Sequence, residues 1–363
     1  MKGEVAVMTA PGALAFQTYD VPAPGPGAVI LKVLRANVCG SEIHIWQGKH
    51  PVKKRGGIGH EMVGVVAQLG EGVSHDSAGQ PLSIGDRVVA TYFQTCLSCA
   101  QCLAGQYNLC DNAYAFFGLQ PEQAPHFHTA FATHVYIHPR QHLYKVPANI
   151  PDSVAASANC ALSQVYFGLD RIGVGEGDTV VIQGAGGLGL MGVALARERG
   201  ARVIVIDGIE QRLDQARAFG AHEIVDMRAY PSAADRQARV QELTDGRGAD
   251  VGVEVTGVPA AFNEGVTGLV RRGGRYLVMG NLSPGATIDL DPGLLTRRSV
   301  QILPVDRYDG RYLYKALRFL EKTLEQYPYA KLLDAEFPLC CVQDALEKSA
   351  SREVTRASIV MQM

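Results

Sequence analysis

Two hydrophobic rhythms divide this chain. From Met1 to about Ile150, short β-branched runs such as Val29-Ile30-Leu31-Lys32-Val33 and Val63-Gly64-Val65-Val66-Ala67 are broken by Gly and Pro, the pattern of a β-rich region. From about Asp178, compact apolar runs alternate with helical periodicity. Val180–Ile182, Val203–Ile206, Glu223–Val225, Val251–Val253 and Tyr276–Met279 predict buried parallel strands, and Leu188–Arg199 and Gln211–Phe219 predict helices between them. That alternation predicts a doubly wound α/β domain. The tail changes texture again, with helices expected over Tyr312–Tyr327 and Val342–Ser349 and a strand over Ala357–Met361.

Composition sharpens this picture. At about 150 residues per domain, the 363 residues suggest two domains, and 47% hydrophobic with 19% charged residues is a globular balance. No apolar run is long enough to span a bilayer, so no membrane partner is expected. The 34 basic and 36 acidic residues leave a formal charge of −2, which argues against an electrostatic grip on nucleic acid. The expected partner is a small molecule. Met1-Lys2-Gly3-Glu4 leads straight into a strand-like pattern, and a cytoplasmic location is the expectation.

The eight cysteines are too sparse for a disulfide scaffold, and four of them crowd into one short window. Cys96-x-x-Cys99-x-x-Cys102, seven further residues and Cys110 offer the four thiolates of a closed structural zinc site, with an iron–sulfur cluster or free thiols as alternatives. Gly105, Gln101, Gln106 and Asn108 give this loop little apolar material of its own, so a metal would supply its order. A second set is dispersed: Cys39, the pair His60-Glu61, and Cys160. Two thiolates and one imidazole suit a catalytic zinc that keeps one position open, although a lone His or Cys is most often a packing residue.

The segment Val180-Val181-Ile182-Gln183-Gly184-Ala185-Gly186-Gly187-Leu188-Gly189 sets G-x-G-x-x-G between a strand and a helix, the context of a dinucleotide fingerprint. Gly184 allows the tight turn, Gly186 the approach of a pyrophosphate, and Gly189 close packing of helix on strand; Gly187 and Leu188 open the helix whose N-terminus faces the phosphates. The next strand ends at Asp207, whose carboxylate suits the two ribose hydroxyls of NAD and repels the phosphate of NADP, while Arg212 slightly weakens that exclusion.

Three further features call for simpler readings. Lys53-Lys54-Arg55 is expected to be a solvated loop. His126-x-His128 and His138-x-x-x-His142 have ligand spacing, but Pro125 and Pro139 interrupt them, so solvent-facing or satisfied histidines are expected. Cys340-Cys341, after Pro338 in an apolar stretch, are expected to be adjacent buried thiols with no metal role.

Taken together, the sequence resembles the zinc-dependent medium-chain alcohol dehydrogenase family over nearly its whole length. Gly59-His60-Glu61-x-x-Gly64-x(5)-Gly70 is similar to that family's zinc signature, Cys39-Gly40-Ser41-Glu42-Ile43-His44 to its first-ligand segment, and Cys96 to Cys110 to its structural zinc lobe. The resemblance implies a β-rich GroES-like catalytic domain over 1–160, with the zinc lobe at about 94–112. A Rossmann NAD-binding domain would follow over 161–304, and a segment over 305–363 would return to the catalytic domain. It also implies two zinc ions per chain: one on Cys39, His60 and Cys160, the other on Cys96, Cys99, Cys102 and Cys110. Glu61 would stand beside the catalytic metal, Ser41 would take the substrate proton, and His44 would pass it to solvent. A homodimer or homotetramer, joined through the late strands near Tyr276–Met279 and Val300–Leu303, is implied as well.

The sequence departs from the family at Glu42, where an Asp usually partners the zinc-binding His, and at Gln164, where many members have a Thr. Cys160 argues against the polyol-dehydrogenase branch. Trp46, Tyr92, Phe93, Phe116, Phe117 and Phe131 flank the zinc motifs and suggest a pocket for a bulky or cyclic alcohol, with Trp46 and Phe93 as the main candidates. The expected reaction is hydride transfer from such an alcohol to NAD+, giving a ketone or aldehyde. The alternatives are an NADPH-linked carbonyl reductase and a noncatalytic binding protein that retains the fold.

Overall fold

The computed structural model describes residues 1–49, 53, 55–280 and 285–361, and the chain within it divides into two units. One unit comprises Met1–Ser163 with the chain from Asp309 on; the other is Gln164–Tyr308. The breaks fall a few residues beyond the boundaries expected from sequence. Among the described residues, no helix is long and apolar enough to cross a membrane.

In the first unit, strands Ala335–Pro338, Ala357–Val360, Val29–Asn37, Glu61–Leu69, Arg87–Ala90 and Leu143–Lys145 lie side by side in that order, with His134–Ile137 also paired to Val29–Asn37. Lys2–Ala10 pairs with Ala13–Asp20 and with the short strand Gly56–Gly57. The tail strand Ala357–Val360 closes against the early strand, Ser358 opposite Asn37 and Val360 opposite Arg35, and the Ser358 hydroxyl bonds the Asn37 side chain at 2.8 Å. This pairing explains the changed texture of the tail. The last segment belongs with the β-rich unit because its apolar residues Ala357 and Ile359 join that unit's core.

The helix expected over Tyr312–Tyr327 runs Arg311–Thr323. Its buried residues Leu313, Ala316, Leu317 and Leu320 follow the period of an amphipathic helix. Pro328 bars it from extending through Tyr327, because the residue before a proline disfavours the α conformation. Thr323 is also drawn inward, its hydroxyl 2.7 Å from the Phe319 carbonyl and 2.8 Å from the Tyr329 hydroxyl.

The second unit is a six-stranded parallel sheet in the order Glu223–Asp226, Arg202–Asp207, Thr179–Gln183, Ala249–Glu254, Val270–Val278, Gln301–Pro304. Counted along the chain this is 3-2-1-4-5-6, the doubly wound order whose switch point lies beside the first strand. The central strands read as unbroken apolar runs because both faces are covered: Val180, Val181, Ile182, Val203, Ile204 and Val205 are fully buried.

Candidate active site and cofactor loop

Cys39 caps the N-terminus of the helix Gly40–Trp46, directly after the strand Val29–Asn37. His60 and Glu61 open the strand Glu61–Leu69 behind Gly59, whose φ of +94° and whose missing Cβ, which would lie 2.5 Å from Phe131, both demand glycine. Cys160 comes from a π-turn, Ala158–Leu162, a local irregularity that re-aims side chains and recurs at functional sites. Asn159 ties that turn down, its amide nitrogen donating to the carbonyls of His60 at 2.9 Å and Ala90 at 2.8 Å.

These elements bring one ligand atom each from Cys39, His60, Glu61 and Cys160 within 4.8 Å of one another, all from buried residues. The two sulfurs stand 3.9 Å apart, and His60 Nε2 lies 3.1 Å from the Cys160 sulfur. Two thiolates bound at about 2.3 Å in a tetrahedron stand about 3.8 Å apart, so the donor set and its spacing fit zinc. Electrostatics point the same way. The hydrogen bond between the thiols holds Cys39 well below the usual thiol range against the effect of burial, and pushes Cys160 up. Two crowded thiols of this kind both ionise only beside a cation.

Glu42 and Glu61 complete the surround. Glu42, fully buried, contacts His60 Nδ1 with one oxygen and accepts the Cys39 amide at 2.9 Å with the other. Burial raises its carboxyl, and the neighbouring His60 partly offsets this. Glu61 pairs through Oε2 with Arg356, while its buried Oε1 has no hydrogen-bond partner. Burial pushes the Glu61 carboxyl up to about 8, with Arg356 opposing. Ser41 is half-buried and His44 exposed on the same short helix, three residues apart and so on one face.

The four-cysteine lobe is also assembled. Cys96, Cys99, Cys102 and Cys110 place their sulfurs within 4.8 Å of one another. Amides aim at the sulfurs: Cys99 N at Cys96 (3.3 Å), Cys96 N at Cys110 (3.3 Å) and Cys102 N at Cys99 (3.5 Å). Such donors stabilise thiolate rather than thiol. Leu97 and Leu103 are 57% and 76% exposed, so the lobe has no apolar core and its donor chemistry is what could hold it.

In the second unit, Gly184 has a φ of +102°, and a Cβ on Gly189 would lie 1.9 Å from the Gly184 carbonyl oxygen. Both positions therefore require glycine. Gly186 caps the helix Gly187–Glu198 with open space around it, and Gly187 and Leu188 lie half-buried at the helix start. The Asp207 carboxylate accepts the Ala185 amide at 2.7 Å and the Ile209 amide at 2.9 Å, placing it against the glycine turn. Arg212 is half-buried on the helix Glu210–Ala218.

Comparison with known proteins agrees with this geometry. Residues 25–148 match the model of the alcohol dehydrogenase GroES-like domain, and residues 187–322 that of the zinc-binding dehydrogenase domain. A 5-exo-hydroxycamphor dehydrogenase of Pseudomonas putida is 34% identical over 340 residues, 91% of each chain. An L-threonine 3-dehydrogenase of Pyrococcus horikoshii is 32% identical over 88% of this chain and 87% of its own. The solved alcohol dehydrogenase of Thermotoga maritima superposes with a TM-score of 0.92 at 30% identity, covering all of both chains. The chain belongs to the zinc-type alcohol dehydrogenase family.

Against that family frame, several sequence expectations change. Trp46 and Phe93 are buried, 9% and 2% exposed; Trp46 joins the sheet's apolar cluster, and Phe93 lines a cavity with Tyr92, Phe116 and Phe117. Tyr92 is the ring beside the candidate metal ligands, its centroid 4.5 Å from that of His60, with Tyr114 at 6.3 Å and Phe117 at 6.4 Å around it. Phe93 packs edge-on against Tyr92, their centroids 5.2 Å apart. Lys53 is not solvated: its ammonium donates to the Phe117 carbonyl at 3.1 Å and lies 3.7 Å over that ring, and burial lowers it to about 7. Arg55 is exposed, and Lys54 lies outside the described residues.

The histidines expected to be solvent-facing or satisfied divide into two groups. His126 and His142 are satisfied by the Pro121 carbonyl and the Tyr144 hydroxyl, whereas His128 Nδ1 and His138 Nε2 are buried without a partner. Cys340 is exposed and Cys341 half-buried rather than both buried, because the turn Leu339–Cys341 points only Leu339 into the core. Arg356 and Asn159 escaped the sequence reading. Neither carries a motif; each is found only once the tail strand and the π-turn are placed.

Proposed function

We propose that this protein oxidises an apolar, cyclic or otherwise bulky secondary alcohol to the ketone with NAD+ as hydride acceptor. The convergence of Cys39, His60 and Cys160 around the orphaned Oε1 of Glu61 carries the reading. Cys39, His60 and Cys160 would hold a zinc ion, which would supply Lewis-acid polarisation of the alcohol. Around it, Glu42 fixes the tautomer and direction of His60. Ser41 accepts the hydroxyl proton, and the exposed His44 returns it to solvent. The aromatic side of the site, Tyr92 with Tyr114 and Phe117, suits an apolar ring, and the hydroxycamphor dehydrogenase at 34% identity acts, by its name, on such an alcohol.

Asp207 supports NAD over NADP, since a phosphate would meet its carboxylate. The four-cysteine lobe would hold a second zinc. The described parallel sheet ends on Gln301–Pro304, which supports assembly into a homo-oligomer through that edge. The deciding experiment combines metal analysis with a panel of cyclic, aliphatic and aromatic alcohols followed by NADH absorbance. Two zincs per chain and fastest turnover of a cyclic secondary alcohol with NAD are expected. Zinc-replete protein inert across the panel, or an undiminished rate in Cys39→Ser, would overturn the reading.

A further inference from the structure

Cys340 and Cys341 lie outside both metal-ligand sets, on a single turn, Leu339–Cys341, between the strand Ala335–Pro338 and the helix Val342–Ser351. Their sulfurs are 3.6 Å apart, with Cys340 exposed and Cys341 half-buried. The turn is anchored from both sides, since Leu339 and Val342 are buried in the core. The two thiols are therefore held together at the surface before any ligand arrives, which reduces the ordering cost of binding.

Geometry separates the two things such a pair can do. A disulfide needs sulfurs about 2.05 Å apart and Cα atoms about 4.4–6.8 Å apart, whereas adjacent Cα atoms are about 3.8 Å apart. The pair would have to close by about 1.5 Å and strain the peptide between them. A soft centre bonded to both sulfurs at about 2.3 Å, the length of a metal–thiolate bond, would subtend about 103° at the observed separation. That angle is close to tetrahedral, so chelation requires almost no movement.

We propose that Cys340 and Cys341 form a bidentate thiol site for a trivalent, monosubstituted arsenical, separate from the zinc-ligand cysteines. Each sulfur forms one bond to arsenic as one arsenic–hydroxide bond breaks, and the two thiol protons leave with the hydroxides as two waters. Arsenic stays trivalent and keeps its carbon substituent, so nothing is oxidised or reduced. Two thiols are all the reaction consumes, and the turn supplies both.

The test uses the zinc-loaded protein and one equivalent of phenylarsine oxide, read by native mass spectrometry with metal analysis. One phenylarsenic per chain is expected, with zinc content unchanged, and the adduct should survive excess monothiol but leave with excess dithiol. Cys340→Ser and Cys341→Ser should each lose it while melting as the parent does. Absence of an adduct on the parent, or an adduct that persists when both substitutions are combined, would overturn the proposal.

Discussion

The carboxylate of Glu42 meets Nδ1 of His60 while its second oxygen accepts the amide of Cys39 at 2.9 Å. One buried side chain thus orients two candidate zinc ligands that lie twenty-one residues apart in sequence. Partners of this kind commonly affect metal affinity by about 10–100-fold. Glu42→Ala should lower zinc affinity within that range, and Glu42→Asp, whose shorter arm cannot serve both groups unshifted, should fall between. Competition with a chromophoric chelator measures this, and unaltered affinity in Glu42→Ala would remove Glu42 from the site.

A second buried pair gives a stability prediction. Arg356 and Glu61 are 8% and 0% exposed, and removing one partner of such a pair costs about 3–5 kcal/mol. The lower end is expected for Arg356→Met, because burial has already pushed Glu61 to about 8 and it can take up a proton. Urea unfolding should show the loss, and adding Glu61→Gln should recover most of it. No recovery would mean that Arg356 acts through packing instead.

Much of the molecule was legible because its chemistry is local. Cys96 to Cys110 and Gly184 to Gly189 are continuous segments, so spacing alone carries the pattern. The parallel strands were equally plain, since burial on both faces writes an unbroken apolar run. Arg356 was not legible because it reaches Glu61 from 295 residues away, through the pairing of Ala357–Val360 with Val29–Asn37. Tyr92 and Phe93 show a finer limit. Adjacent aromatics are equivalent in composition, and only the local backbone decides which one faces His60. Cys340 misled for a similar reason: apolar neighbours surround it in sequence, but one residue of the turn takes the inward place.

The glycine turn separates packing from cofactor binding. A Cβ on Gly189 would strike the Gly184 carbonyl at 1.9 Å, whereas one on Gly186 meets no described atom within 4 Å. Gly189→Ala should therefore lower both the melting temperature and NADH affinity. Gly186→Ala should melt as the parent does yet bind NADH at least about 10-fold more weakly, the effect of about 1.4 kcal/mol, because the pyrophosphate needs that space. Fluorescence titration with NADH beside thermal melts distinguishes the two, and normal NADH binding by Gly186→Ala would exclude the turn as the phosphate site.

Asp207 should set the choice of cofactor. Hydrogen bonds to a charged group contribute about 1.5–3 kcal/mol, so Asp207→Ser should reduce kcat/KM for NAD by about 10- to 100-fold and narrow its advantage over NADP. Because the same carboxylate receives the Ala185 and Ile209 amides, a modest fall in melting temperature should accompany the change. Initial rates with both cofactors test this. A variant that loses activity equally with each would place Asp207 in support of the turn alone.

Burial of His138 gives the protein an acid limit. Its ring is 9% exposed with Nε2 unpartnered, and burial, reinforced by the nearby His128, lowers it to about 4. In the unfolded chain the same ring takes a proton near 6.5. Between those values the unfolded state binds the extra proton, so the stabilising contribution present above pH 6.5 drains away as the pH falls toward 4. His138→Phe keeps a flat ring against Phe116, 3.3 Å away between centroids, and removes the titration. Its melting temperature should match the parent at pH 8 and exceed it at pH 5 by about 1–2 °C, the shift that about 1 kcal/mol produces in a chain of this length. Parallel melting curves for parent and variant across pH 4–8 would show that His138 is not the group responsible.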